Sequence, residues 1–92
     1  MAEQRAVVTV LGVDRVGIVA SIASVLAEHG GNIEDIRMAT MGELFTMIAL
    51  VDLAGLRQDF VALQSALEAA GTQLGVQASI QRREIFDAMH RI

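Results

Sequence analysis

The chain has 92 residues, enough for one small domain spanning residues 1–92 but not for a second. Hydrophobic residues make up 53% of it and charged residues 20%, which excludes a disordered chain and points to more than one core face. The net charge of −4, from eleven acids and seven arginines without a lysine, lacks the basic footprint of a nucleic-acid binder. With no cysteine, disulfides, thiolate nucleophiles and cysteine-based metal centres are excluded, and a reducing cytoplasm is the expected location.

The first fifteen residues, "MAEQRAVVTVLGVDR", carry an early acid and only a short apolar stretch, which suits neither a secretory signal nor a membrane span. Residues 5–11, "RAVVTVL", are rich in valine and threonine and stop at Gly12, predicting a strand apolar on both faces. A helix follows from about residue 15 to 29, because Ile18, Val19, Ile22, Val25 and Leu26 repeat at three and four before Gly30–Gly31. Residues 33–41 alternate loosely, Gly42–Glu43 permits a tight reversal, and "LFTMIALVD" at 44–52 is again apolar on both faces, the pattern of a hairpin with an interior second strand. The segment 56–74 carries Leu56, Phe60, Leu63, Leu67 and Leu74 at helical spacing, with Gly71 and Gly75 placed after its main body. "VQASIQR" at 76–82 alternates cleanly as an edge strand should, and Ile85, Phe86, Met89 and Ile92 predict a short terminal helix over 83–92.

Strand, helix, strand, strand, helix, strand is the order of the ferredoxin-like α+β sandwich, βαββαβ. Two interleaved crossovers would give a four-stranded antiparallel sheet with both helices on one face and the short C-terminal helix added. The first and third strands, apolar on both faces, belong in the middle, and the second and fourth, with Glu34, Asp35, Arg37, Gln77 and Gln81, at the edges. The face away from the helices would then expose Val7, Thr9 and Leu11 beside Thr46, Ile48 and Leu50, a patch that a second copy or the terminal helix must cover.

Between the first strand and helix lie Gly12, Val13, Asp14, Arg15, Val16, Gly17 and Ile18. One reading is structural: Asp14 caps the helix while the glycines admit close backbone approach. The other is functional: the unpaired amides and positive dipole of the first turn receive a carboxylate or phosphate, with Arg15 as a bidentate donor. Asn32 is likewise either a helix-exit residue or an amide able to bond an amino and a carboxyl group at once.

"LGVDRVGIVASIASVLAEHGGNIEDI", residues 11–36, closely resembles the opening of an ACT domain at Gly12, Asp14, Arg15, Gly17, Ile18, Val19, Gly31, Asn32 and Ile33. "ELFTMIALVD" and "IFDAMHRI" extend the resemblance over nearly the whole chain, toward small bacterial proteins made of one ACT domain. The resemblance implies a non-catalytic regulatory fold that pairs through strand and helix edges as a homodimer and binds small ligands, often amino acids, between subunits. In liganded members the first loop and the start of the second strand make the contacts. Carried over, these are Gly12, Val13, Asp14, Arg15, Val16, Gly17 and Ile18 with Asn32 and Ile33. The alternative within the family is a ligand-free module that regulates a partner protein, as in the glycine-cleavage repressor.

Other chemistries lack their residues. There is no Gly-x-Ser-x-Gly, no P-loop and no local signature of a catalytic triad, and no cofactor is implied. Acylphosphatases share the topology, but their longer anion-binding loop is missing; RNA-recognition domains share it too, but stack bases on aromatics, and only Phe45 stands on a central strand. Glu84, Asp87 and His90 recur every three residues, and a solvated face with an Asp87–Arg91 pair explains them better than a metal. His29 is expected to bond the carbonyls ending the first helix, and Met38, Met41 and Met47 to fill an adaptable core or interface.

Overall fold

The structure is a computed structural model that describes residues 4–13 and 16–84. Its elements are β1 (Arg5–Val13), α1 (Ile18–Glu28), β2 (Asn32–Met41), β3 (Leu44–Asp52), α2 (Phe60–Leu74) and β4 (Val76–Arg82). The four strands form one antiparallel sheet in the order β2-β3-β1-β4, so the two doubly apolar strands occupy the middle as their composition predicts. This is the ferredoxin-like βαββαβ arrangement.

Alternation along each strand decides which side chains meet the helices. Ala6, Val8 and Val10 of β1, Phe45, Met47, Ala49 and Val51 of β3, and Val76, Ala78 and Ile80 of β4 point one way and are buried. Ile18, Ile22 and Leu26 of α1 and Leu63 and Leu67 of α2 close over them in a single cluster. Both helices therefore lie on one face. Among the described residues no buried side chain is polar or charged, so the interior is held by apolar contact alone.

Local chemistry sets the boundaries. Gly42 and Glu43 form a two-residue hairpin loop between the paired Met41 and Leu44, and φ of +62° at Gly42 explains the glycine. α1 begins at Ile18, later than expected, because its N-cap is Gly17, at φ +91° and ψ 0°, and no described side chain bonds its first amides. The N-cap position expected of Asp14 is held by a glycine three residues on; Asp14 and Arg15 themselves lie outside the described residues. At the other end, Gly31 N donates to Leu26 O at 2.7 Å, and His29 Nδ1 lies 2.9 Å from Val25 O, the bond expected of it.

α2 also starts later than the leucine spacing predicts, at Phe60. Asp59 Oδ1 accepts from Ala62 N at 2.8 Å, a true N-cap, while Leu56 N donates to Leu53 O in the preceding loop. Arg57 N donates to His29 O at 2.9 Å, so this loop is tied to the exit of α1. Gly71, expected after the main body of the helix, lies well inside it and is buried where α2 crosses β4: an added Cβ would sit 2.9 Å from Val76 O. The helix ends at Gly75, φ +75°. The terminal helix expected over 83–92 falls, from residue 85 on, outside the described residues.

Candidate functional site

The sheet face turned away from the helices carries the six residues predicted for it, and the register aligns them in pairs: Val7 with Leu50, Thr9 with Ile48, Leu11 with Thr46. The patch is less open than expected. Leu11 and Ile48 are each 47% exposed, but Thr9, Thr46 and Leu50 are half-buried and Val7 is buried. Thr9 Oγ1 and Ser79 Oγ, 2.7 Å apart, make the part toward β4 polar. Phe45 points into the core, so neither central strand offers an aromatic platform for a base.

The apolar part of this face concentrates beside the first loop. Val13 is opposite Leu44, which pairs with Met41, and these three side chains are 52%, 45% and 69% exposed. The hairpin residues Met41 and Leu44 were not among those expected at the site. The signal that finds them is register: a turn at 42–43 places them in one row with the end of the first strand. Val16 is fully exposed, and no described heavy atom other than its chain neighbours lies within 4 Å of where a Cβ would be on Gly17, so no described residue covers the first turn of α1. Ser21 N, the first amide paired within the helix, donates to Gly17 O at 2.9 Å, and Ile18 is buried with its side chain turned into the core. This end of the molecule thus offers helix amides that no described side chain caps, beside an apolar ledge. Such amides accept a carboxylate or phosphate.

Gly12 has a structural duty of its own. It pairs with Val76 of β4, and a Cβ there would lie 2.6 to 2.9 Å from Val76 Cγ1, Cβ and Cα. Close strand contact alone accounts for this glycine.

Asn32 and Ile33 are at the opposite end of the sheet. Asn32 is exposed and pairs with Asp52, which pairs with Arg5, whereas Gly12 is seven residues further along β1. At about 3.3 Å per residue the two ends are separated by roughly 23 Å. A single copy therefore brings Gly12, Val13, Val16, Gly17 and Ile18 together and leaves Asn32 and Ile33 remote from them. Ile33 is half-buried against the core, and its neighbour Glu34 sits at a β-bulge and takes Arg5 in a two-point ion pair, Nε to Oε1 at 2.6 Å and Nη2 to Oε2 at 3.1 Å.

Among the described residues no group of three or more histidine and acidic side chains could hold a metal ion, and Asp87 and His90 of the spacing noted above lie outside them. No described helix is long and apolar enough to cross a membrane. Met47 is a core residue, while Met38 and Met41 are exposed on β2.

A family model described as "ACT domain" matches residues 4–81. The UPF0237 protein of Methanocaldococcus jannaschii is 52% identical over 88 residues, which is 96% of this chain and 98% of that one. Among solved structures, an ACT domain protein from Streptococcus pneumoniae superposes with a TM-score of 0.79 at 42% identity, over 97% of this chain and 100% of that one. A putative glycine cleavage system transcriptional repressor superposes with a TM-score of 0.74 at 29% identity, over 86% of this chain and 45% of that one. Relatives thus occur in archaea as well as in the bacteria that the resemblance suggested. By its fold, its first-loop residues and these matches, the chain belongs to the ACT domain family.

Proposed function

We propose that this chain is a non-catalytic, cytoplasmic regulatory protein that binds a small amino-acid-like ligand between two copies of itself. The observation that carries the reading is the first turn of α1, which no described residue caps or covers, beside Val13 and Val16, in a chain of the ACT family. The ligand's carboxylate would meet the amides that follow Gly17, with Arg15 as charged partner, and its side chain would meet the ledge of Val13, Leu44 and Met41. Asn32 and Ile33 enter from the other copy. An antiparallel two-fold along the β2 and α1 edge brings the Asn32 end of one sheet to the Gly12 end of the next, which resolves the roughly 23 Å separation within one chain. Binding would then stabilise the pair and change its affinity for a regulated protein. Calorimetric titration with each of the twenty common amino acids tests this. Binding that is lost in an Asp14→Ala, Arg15→Ala double variant supports it, and no response to any of them refutes ligand sensing.

The second reading is a ligand-free module that acts on a partner protein through the open sheet face. It is favoured by the exposure of Leu11 and Ile48 on that face and by similarity to the putative glycine cleavage system transcriptional repressor. In that case Leu11→Glu with Ile48→Glu abolishes partner capture while the Asp14, Arg15 double variant does not. Capture of nothing but the chain itself would count against it.

A further inference from the structure

The two edges of the sheet are unlike. β2 is protected as edge strands commonly are, by a bulge at Glu34 and by the charges of Glu34, Asp35 and Arg37. β4 has no bulge, and its one charge is Arg82 at its end. It is straight through Val76–Arg82, pairs only with β1 among the described strands, and presents uncharged Gln77, Ser79 and Gln81 on the open face. Beside it runs a groove of about 350 Å³ lined by Glu68 and Thr72 of α2 and by Val76, Gln77, Ala78 and Ser79.

The helix bordering this groove has a stripe that no other described element packs against. Val61, Glu68 and Thr72 stand at i, i+7 and i+11, within about 20° of one line at 100° per residue. Val61 is 63% exposed, a large apolar side chain that no described element covers. We infer that the β4 and α2 edge pairs with the same edge of a second copy, independently of the ligand reading above.

The register follows from geometry. In a sheet continued across a two-fold axis, facing residues must share a face, so partners differ by an even number, and full overlap of Val76–Arg82 puts the axis at Ser79. Gln77 then faces the partner's Gln81, and Ser79 faces the partner's Ser79, pairs that oppose no charges. On the helix side Val76 faces the partner's Arg82. Arg82 is held in that layer by stacking on Phe60, its guanidinium 4.5 Å from the ring centroid. It arrives where Val76 and Glu68 line the groove, so each copy sets one cation against the other's acid, two such contacts across the axis. The two α2 helices run antiparallel across the axis, which brings Val61 toward the partner's Thr72 and covers it.

The test is a charge swap read by sedimentation equilibrium at tens of micromolar, with circular dichroism to confirm folding. Glu68→Arg and Arg82→Glu each set like charges together and are expected to halve the mass of the assembly, and the double swap to restore it. Ser79→Lys, which opposes two lysines at the axis, is expected to halve it as well. A Glu68→Arg mass equal to wild type, or a double swap that fails to recover, overturns the inference. The ligand reading fails separately: a wild-type dimer that Glu68→Arg converts to monomer keeps this edge and removes the β2 pairing, whereas tetramer to dimer retains both.

Discussion

Gly12 belongs to the residues expected to bind ligand, yet its contact with Val76 predicts a structural phenotype first. In Gly12→Ala the new methyl would sit 2.6 Å from Val76 Cγ1, 2.8 Å from Cβ and 2.9 Å from Cα. The last of these is backbone and cannot rotate away. Overpacking of this kind costs about 1–3 kcal/mol, and removing a glycine from an ordinary extended backbone returns about 0.4–1 kcal/mol through the unfolded state. Three contacts under 3.0 Å, one of them to backbone, put the overpacking in the upper part of its range, so a net loss of about 1–2.5 kcal/mol is expected, or a fall in Tm of about 4–20 °C for a domain of this size. The chain has neither tryptophan nor tyrosine, so urea unfolding is followed by circular dichroism at fixed protein concentration. Val76→Ala removes the nearest atom, so the Gly12→Ala, Val76→Ala double variant should be less destabilised than the sum of its singles, by about 0.5 kcal/mol or more. Unchanged stability in Gly12→Ala, or strict additivity with Val76→Ala, would refute the close-contact account.

Asp59→Ala removes the bond to Ala62 N and should cost about 1 kcal/mol in the same assay, whereas Asp59→Asn keeps most of the stability. Gly17→Ala meets no atom but must adopt φ +91°, so a loss of about 1–2 kcal/mol is expected, with Gly17→Asn milder; equal losses for both would contradict a purely conformational cause. Leu67→Ala empties a fully buried position under the sheet and should cost about 2–5 kcal/mol by urea unfolding. Glu34→Gln breaks an exposed two-point pair with Arg5 and should cost less than about 1 kcal/mol, a difference that shrinks further when salt is raised to 1 M.

The fold was legible because burial and strand position write themselves into side-chain polarity. Val7 to Val10 and Phe45 to Val51 are apolar on both faces, which only central strands require, and Gln77 to Gln81 alternate as an edge must. Helix starts were less legible. Leu56 has the right spacing for α2, but it packs from a loop onto the core, and the start was decided by the Asp59 side chain. Asp14 looked the better cap for α1 by residue type, yet Gly17 takes the N-cap because its left-handed backbone turns the chain into the helix. For the site, Gly12 to Ile18 could be read as one loop from contiguity, and the Met41 and Leu44 ledge could not, because it depends on which residues a hairpin sets opposite Val13. That Asn32 lies at the far end of the sheet follows from strand direction, which residue types do not encode.

The central claim is that one ligand site takes its first loop from one copy and Asn32 from the other. Its direct test mixes two inactive variants, Asp14→Ala with Arg15→Ala in one chain and Asn32→Ala in the other, co-expressed and purified as the mixed pair. The probe is the amino acid that titrates the wild-type protein. If the account is right, neither variant alone binds it and the mixed pair binds at half the wild-type stoichiometry, since one of its two sites is built entirely from intact parts. A mixed pair as silent as its parents would contradict it.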